Sequence, residues 1–407
     1  MRVSSGVLAA AATLASAGTQ AGGFAVLAQS ASVNGNAYSG AAATAEDAST
    51  IWYNPAGMAR LPGTQVSINA NAIRTSFRYH DGGSTGAFAN PGSGDGGDGG
   101  GLALVPQAYL STDLGEGWWA GFALNTPFGQ KTEYDDGWRG QFVALKSEAK
   151  SFNINIALAH EVNKTWSIGG GLDVQRFETE LTNFAGPALG TAKLEANDVS
   201  WGYNLGVMFN ASDLTRVGLA YRSKIVYELS GNATFSGNGA ANTQARTDLT
   251  VPETLSLSAF TALSHDWEFL GTVTWTRWGR LQTLSVTRPD GSQLTAFPFK
   301  WRNTVFFGAG ANYKPSDAWK IRAGIAYDPA VSNDETRTPR LPDQRRWIVS
   351  AGARYAASKN DSFDLAYVHD FIKEASVNNT VAGVPGALVG SFTSSADVLS
   401  VQYNHQF

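Results

Sequence analysis

Trp319-Lys320-Ile321-Arg322-Ala323-Gly324-Ile325-Ala326-Tyr327-Asp328 decides how the chain is read. Trp319, Ile321, Ala323, Ile325 and Tyr327 occupy one parity; Lys320, Arg322 and Asp328 occupy the other. Side chains of a strand alternate between its two faces, so one face here suits hydrocarbon and the other a polar interior. The segment Phe363, Leu365, Tyr367, His369, Phe371 repeats this against Asp364 and Asp370. The segment Leu399, Val401, Tyr403, His405, Phe407 repeats it against Ser400, Gln402, Asn404 and Gln406. Extending the period-2 reading from Thr64 to Phe407 gives about fourteen strands.

The connections sort by length. The gaps at Asp113–Glu116, Glu161–Lys164, Asn210–Leu214, Ser264–Asp266, Lys314–Asp317 and Ala357–Asp361 are tight. Those at His80–Gly100, Pro127–Gln141, Asn183–Thr191, Gly231–Asp248, Gly279–Pro298, Pro329–Gln344 and Lys373–Ser391 are long and rich in Gly, Pro, Asn and Ser. Short turns at one end and long loops at the other describe an outer-membrane β-barrel. Aromatics near strand ends (Trp118, Trp119, Trp166, Trp201, Tyr221, Trp267, Trp347) suit an interfacial girdle. The fold class is therefore all-β: a transmembrane antiparallel barrel, residues 63–407, in the outer membrane of a Gram-negative cell. A soluble β-sandwich with one wet face is the competing architecture.

The 407 residues include no Cys, which excludes disulfides and thiolate metal sites. A net charge of −4 argues against nucleic acid as partner. The five His show no metal-ligand spacing, and no cofactor or metal is expected. Gly82-Gly83-Ser84-Thr85-Gly86 fits a hydrolase pattern, but it lacks the strand–turn–helix that the pattern needs, so no catalytic residue is assigned. Residues 1–21 read as a signal peptide, with Arg2, an apolar run Val7–Ala17, and cleavage after Ala17 or Ala21. Residues 22–62 do not alternate. Ala41–Ala48 suits a short helix with Thr44 as N-cap. Asn54-Pro55-Ala56 suits another, with Asn54 as N-cap and Pro55 in its first position. So small a segment ahead of a barrel is placed in the lumen as a plug, or hatch; a periplasmic linker is the alternative. The closing Phe407 resembles the terminal aromatic read by the barrel-assembly machinery.

Gly23-Phe24, Asn36-Ala37-Tyr38-Ser39-Gly40, Ala45-Glu46-Asp47-Ala48 and Asn54-Pro55-Ala56-Gly57-Met58 resemble, in this order, the hatch of the FadL outer-membrane transporters. Thr126-Pro127-Phe128-Gly129, Ser151-Phe152-Asn153-Ile154-Asn155 and Thr336-Arg337-Thr338-Pro339-Arg340-Leu341-Pro342-Asp343-Gln344-Arg345-Arg346-Trp347 extend the resemblance over the mature chain. It implies a fourteen-stranded barrel with an N-terminal hatch and passive uptake of long-chain fatty acids or related hydrocarbons. It also implies a monomer whose mature N-terminus reaches an internal ligand site, which favours cleavage after Ala21, and sideways release at a kinked third strand.

Candidate site residues follow. Phe24 is expected nearest the ligand. Arg337, Arg340, Arg345 and Arg346, partnered by Asp334, Glu335 and Asp343, are candidates for holding a carboxylate, with a surface loop laced with ion pairs as the alternative; Asp343 and Arg345 can instead pair structurally. Lys300 and Arg302 form a second candidate pair, with snorkelling at the membrane edge as the alternative. Asn54, Pro55, Ala56, Gly121 and Pro127 are the hatch and gating candidates. Gly121 and Pro127 are residue types that weaken ladder pairing in the third strand. Phe88, Leu102, Phe128, Trp138 and Phe142 are expected either to form an outer capture groove or to join the girdle. The competing functions are a lipid-modifying outer-membrane enzyme, which needs a Ser–His–acid set, and a general porin, which needs an unplugged lumen.

Overall fold

A computed structural model describes residues 22–90 and 94–407; the expected signal peptide, 1–21, lies outside the described residues. Fourteen antiparallel strands close into one barrel. They are β1 (Thr64–Asp81), β2 (Leu102–Gly115), β3 (Trp118–Asn125, resuming as Gly129–Glu133), β4 (Lys146–Glu161), β5 (Trp166–Phe184), β6 (Thr191–Asn210) and β7 (Thr215–Arg222, resuming as Ile225–Phe235). There follow β8 (Thr243–Val251, resuming as Thr254–Ala262), β9 (Trp267–Thr276), β10 (Thr304–Ser316), β11 (Trp319–Asp328), β12 (Arg346–Ala356), β13 (Asp361–Ile372, resuming as Ala375–Val381) and β14 (Val384–Gln406). β1 pairs β14 from Gln65↔Gln406 to Asp81↔Gly390, which closes the cylinder. A small hairpin, Thr283–Thr287 with Gln293–Pro298, stands between β9 and β10.

Alternation fixes which face is wet. In β11, Trp319, Ile321 and Ile325 are exposed outward while Arg322 and Asp328 are buried in the lumen. A one-residue slip would put both charges into lipid, so the hydrophobic pattern specifies the register. Among the described residues no helix is long and apolar enough to cross a membrane; the chain crosses with strands.

Residues 22–62 fill the barrel, and nearly all are buried. They form two single-turn helices, Ala31–Asn34 and Thr50–Tyr53, and a 3₁₀ turn, Pro55–Arg60. The helix expected over Ala41–Ala48 does not form. Ala45 takes φ 46°, outside the helical region, and Glu46 and Asp47 instead reach cations on the barrel wall. The expected cap at Asn54 is present, its side-chain oxygen accepting from Ala56 N–H at 3.1 Å.

Candidate functional site

The third strand breaks at Thr126-Pro127-Phe128. On one side its two halves both follow β4, through Trp118↔His160 to Asn125↔Asn153 and then Gly129↔Lys150 to Glu133↔Lys146. On the other side β3 pairs β2 only from Ala108↔Leu124 to Gly115↔Trp118. Residues Leu102–Gln107 of β2 therefore have no ladder partner on that side. Odd-numbered residues near both ends of β2 bond towards β1: Thr75 N–H donates to Gly101 O and Asp113 N–H to Gly63 O, both at 2.9 Å. Even-numbered residues therefore face the opening. Pro106 is one of them, and having no N–H it leaves one donor fewer unpaired there.

The hatch covers the break from inside. Val26 N–H donates to Pro127 O (2.8 Å), Gly129 N–H to Phe24 O (2.9 Å), and Gln29 Nε2 to Thr126 O (2.9 Å). Ala25 and Phe128 face each other as an antiparallel bridge. In lipid every backbone group needs a partner, so these contacts satisfy groups that a continuous β3 would have paired with β2. Pro127 lies in the break itself. Gly121 does not: it is paired on both sides, with Ser111 and Ala157, and it leaves room for Met58 and Ile51 of the hatch, whose side chains a Cβ there would strike.

Phe24 sits in a nest of rings, with centroids 5.2 Å from Trp278, 5.6 Å from Phe128, 5.8 Å from Trp301 and 6.0 Å from Phe177. Edge-to-face pairs of this kind contribute about 0.5–1.5 kcal/mol each beyond area burial. Beside the nest lies a cavity of about 180 Å³ whose lining is mostly apolar and shares Phe128 and Trp278 with it. Tyr38, Trp52, Tyr53, Tyr221 and Phe306 extend its aromatic wall.

Among the described residues, two acidic or basic side chains line this cavity, Arg222 and Asp328. Arg222 lies 3.5 Å over the Trp52 ring, donates to Trp52 O at 2.8 Å, and pairs with Asp173 at 2.6 Å. Asp173 also accepts from Asn153, Asn155 and Asn204 at 2.8–3.0 Å. Arg222 was not among the sequence candidates. Its signal was a guanidinium at the inward parity of β7, which it shares with Ala220, Gly218 and Arg216, the last buried and donating to Ala43 O and Thr44 O of the hatch.

The arginine motif lies elsewhere. Arg337 is buried and spends its donors on Asp334 (2.6 Å), Asp343 O (2.7 Å) and Ser376 O (2.8 Å), tying the β11–β12 loop to β13. Arg340 lies 5.5 Å from the Phe297 ring and donates to Ser147 Oγ at 3.0 Å; burial pushes its pKa down to about 10. Asp343 is buried, accepts from Val331 N–H at 2.9 Å and pairs with Arg346 at 2.8 Å. Burial raises its pKa, against the opposing pull of Arg346. Arg345 is exposed on the outward parity shared with Trp347. Asp343 therefore pairs with Arg346, and the structure does not bring Arg337, Arg340 and Arg345 together on the cavity. Lys300 and Arg302 are also outside it: Lys300 faces Glu335 at 3.7 Å, and Arg302 donates to Ala330 O at 3.1 Å. Of the capture-groove candidates, Phe88, Trp138 and Phe142 join one extracellular cluster with Tyr79, Tyr134 and Phe392. Leu102 faces outward, and Phe128 belongs to the nest.

Asn54-Pro55-Ala56 clamps the hatch to the wall. Asn54 Nδ2 donates to Ala42 O (2.7 Å) and to Val207 O of β6 (3.1 Å). Gly206 makes this approach possible, since a Cβ there would lie 3.0 Å from Pro55 Cδ and collide with the Asn54 amide. Asn54→Ala is expected to destabilise the Pro55–Arg60 turn by about 1–2 kcal/mol through loss of the cap. Hydrogen exchange should show faster opening confined to residues 54–60, whereas unchanged protection there would remove the clamp from the account.

Comparison with known proteins places these features. A family model described as outer membrane protein transport protein (OMPP1/FadL/TodX) matches residues 12–407. An outer membrane protein of Neisseria meningitidis serogroup B is 30% identical over 90% of this chain and 91% of its own. The long-chain fatty acid transport protein of Escherichia coli K12 is 25% identical over 89% of this chain and 91% of its own. The crystal structure of a FadL homologue from Pseudomonas aeruginosa superposes with TM-score 0.87 at 25% identity, covering 95% of this chain and all of that one.

Proposed function

Because the chain belongs to the OMPP1/FadL/TodX family, and so is an outer-membrane transporter of hydrophobic compounds, we propose that it admits long-chain fatty acids or similar hydrocarbons by passive, hatch-gated diffusion. The observation that carries this reading is the break in β3 with an apolar cavity behind it and hatch residues Phe24–Gln29 hydrogen-bonded across it. Cargo leaves sideways, between β2 and the resumed half of β3, into the membrane. Magnitudes favour such a gate. Releasing three hydrogen bonds costs on the order of 1 kcal/mol each where lumen water takes over the freed groups, and more where they face lipid. A ligand held at micromolar affinity brings roughly 8 kcal/mol, enough to displace the segment and still bind.

For a cargo with an anionic end, Arg222 is the cation positioned to receive it. Its pairing with Asp173 favours a second reading, in which the cargo is a neutral hydrocarbon. Arg222→Gln separates the two. It should weaken binding of a long-chain carboxylate about tenfold or more and leave a neutral alkane of equal length unchanged, read by displacement of a fluorescent probe from purified protein. Equal affinity of the variant for both cargos, each unchanged, would favour the neutral reading. Substitution at Arg337 or Arg340 is expected to lower the thermal stability of the β11–β12 loop and to affect both cargos alike. Selective loss of the carboxylate in those variants would restore the arginine motif as the anion site.

A further inference from the structure

One transverse row of the barrel wall gives the cavity a polar side. Asn204, Arg222, Thr254, Thr276 and Thr304 are register partners in turn across β6, β7, β8, β9 and β10, and all five line the cavity. At about 4.8 Å per strand, Thr304 stands roughly 14 Å around the wall from Arg222. The next two rows satisfy themselves. Ser256 bonds Thr274 and Ser258 bonds Thr272 across β8 and β9, each at 2.8 Å between hydroxyl oxygens. Thr254 and Thr276 hold the same cross-strand relation and do not bond. Among the described residues, the hydroxyls of Thr254, Thr276 and Thr304 have no hydrogen-bond partner, and Thr304 is only 5% exposed. Asn204 Nδ2 donates to Asp173 at 3.0 Å, which leaves the buried Asn204 Oδ1 without a donor there. From the hatch, Tyr53 brings to the same cavity a buried hydroxyl that is equally unpartnered. Buried polar atoms are costly until something bonds them.

Apart from the guanidinium, the free atoms of the row are oxygens. The three threonine hydroxyls donate or accept, and Asn204 Oδ1 only accepts. A plain alkyl chain offers them nothing, and a carboxylate has no proton for Asn204. A hydroxyl on the chain donates and accepts, so it can bond at any point along the row. We infer that the cavity takes long-chain acids hydroxylated part-way along the chain, with the carboxylate at Arg222 and the hydroxyl on the Thr254–Thr276–Thr304 row. This rests on the reading of the cavity as the cargo site, with Arg222 receiving the anionic end, and adds what selects among cargos. In a wholly apolar chamber a chain hydroxyl is penalised for its lost water. Here the unpaired wall oxygens penalise a chain that lacks one.

Ricinoleate and oleate test this, since they differ by one mid-chain hydroxyl. Their affinities for purified protein are read by displacement of a fluorescent probe, in the wild type and in a variant combining Thr254→Val, Thr276→Val and Thr304→Val. Comparing the affinity ratio between the two proteins cancels whatever the acids differ by in water. Valine keeps the branched shape of threonine and suits a strand. In the variant, checked as folded by heat-modifiable migration, the preference for ricinoleate over oleate is expected to fall about tenfold. An unchanged ratio in the folded variant would overturn the inference and leave the cavity as the cargo site. Thr276→Val alone, expected to lower the ratio about threefold, serves where the triple variant does not assemble. Where neither assembles, wild-type affinity for ricinoleate equal to or above that for oleate supports the row, and lower affinity overturns it. If neither acid displaces the probe from the wild type, the cargo-site reading itself falls and takes this inference with it.

Discussion

Ala25→Cys combined with Phe128→Cys is expected to abolish uptake when oxidised and to regain it with a reductant. The two residues oppose each other in an antiparallel bridge flanked by the Val26–Pro127 and Gly129–Phe24 hydrogen bonds. Such a pair brings its Cα atoms to about 4.5–5.5 Å, inside the range a disulfide spans. The chain has no cysteine of its own, so no other thiol competes. The disulfide fixes hatch to wall at the break and leaves the barrel and the outer loops as they are, although both residues line the cavity. The reduced form controls for the loss of the Phe128 ring. If the oxidised protein takes up cargo as fast as the reduced one, the segment Phe24–Val26 does not gate the route, and lateral release at β3 fails with it.

The second large effect is expected at the opposite side of the lumen. Glu46 and Asp47 of the hatch enter a buried network with Lys320 (2.8 Å from Glu46), Arg322 (2.7 Å from Glu46) and Arg354 (3.1 Å from Asp47). Glu268, Asp364 and Lys314 complete it, so four carboxylates meet four cations among the described residues. Glu46→Gln with Asp47→Asn would leave two wall cations without counter-charge inside the lumen. Breaking a buried pair from one side costs about 3–5 kcal/mol. Undocking the hatch and admitting water relieves that cost, so the variant should conduct ions in planar bilayers and expose residues 22–62 to protease, while the barrel stays heat-modifiable. Removing residues 22–62 outright should give a larger conductance. A double variant that remains non-conducting and protease-resistant would show that the aromatic nest and the Asn54 clamp suffice to hold the hatch.

The barrel was legible because alternation is written in every strand; Trp319–Asp328 alone separates a lipid face from a lumen face. The Asn54 cap was legible because capping is local. The Ala41–Ala48 helix was misread because alanine favours helix only when nothing stronger competes, and buried ion pairs to the wall compete here. The arginine motif looked like a ligand site because its charges crowd together in sequence. Crowding within one loop offers partners close in sequence, and Arg337 bonds to Asp334 three residues away, whereas Arg340 donates to Ser147 of β4. Arg222 carried a weaker signal, an inward-parity guanidinium on a strand that also holds Arg216, and its partner Asp173 is distant in sequence. The break in β3 was foreshadowed by Pro127 and by the kinked third strand that the family resemblance implies. What covers it comes from a hatch contact about a hundred residues away, which no local pattern encodes.

The seam between β1 and β14 has a bearing on biogenesis. It runs from Gln65↔Gln406 to Asp81↔Gly390, so the first spanning segment cannot find its final neighbour until the last residues of the polypeptide have been made. The leading forty residues already lie inside when that zipper shuts, pinned to β6, β11 and β12 by Asn54, Glu46 and Gly35. Closing the wall around so well-anchored a core in one step, the sheet curling around its own beginning as a hoop is bent around a mandrel, would satisfy seam and core contacts together.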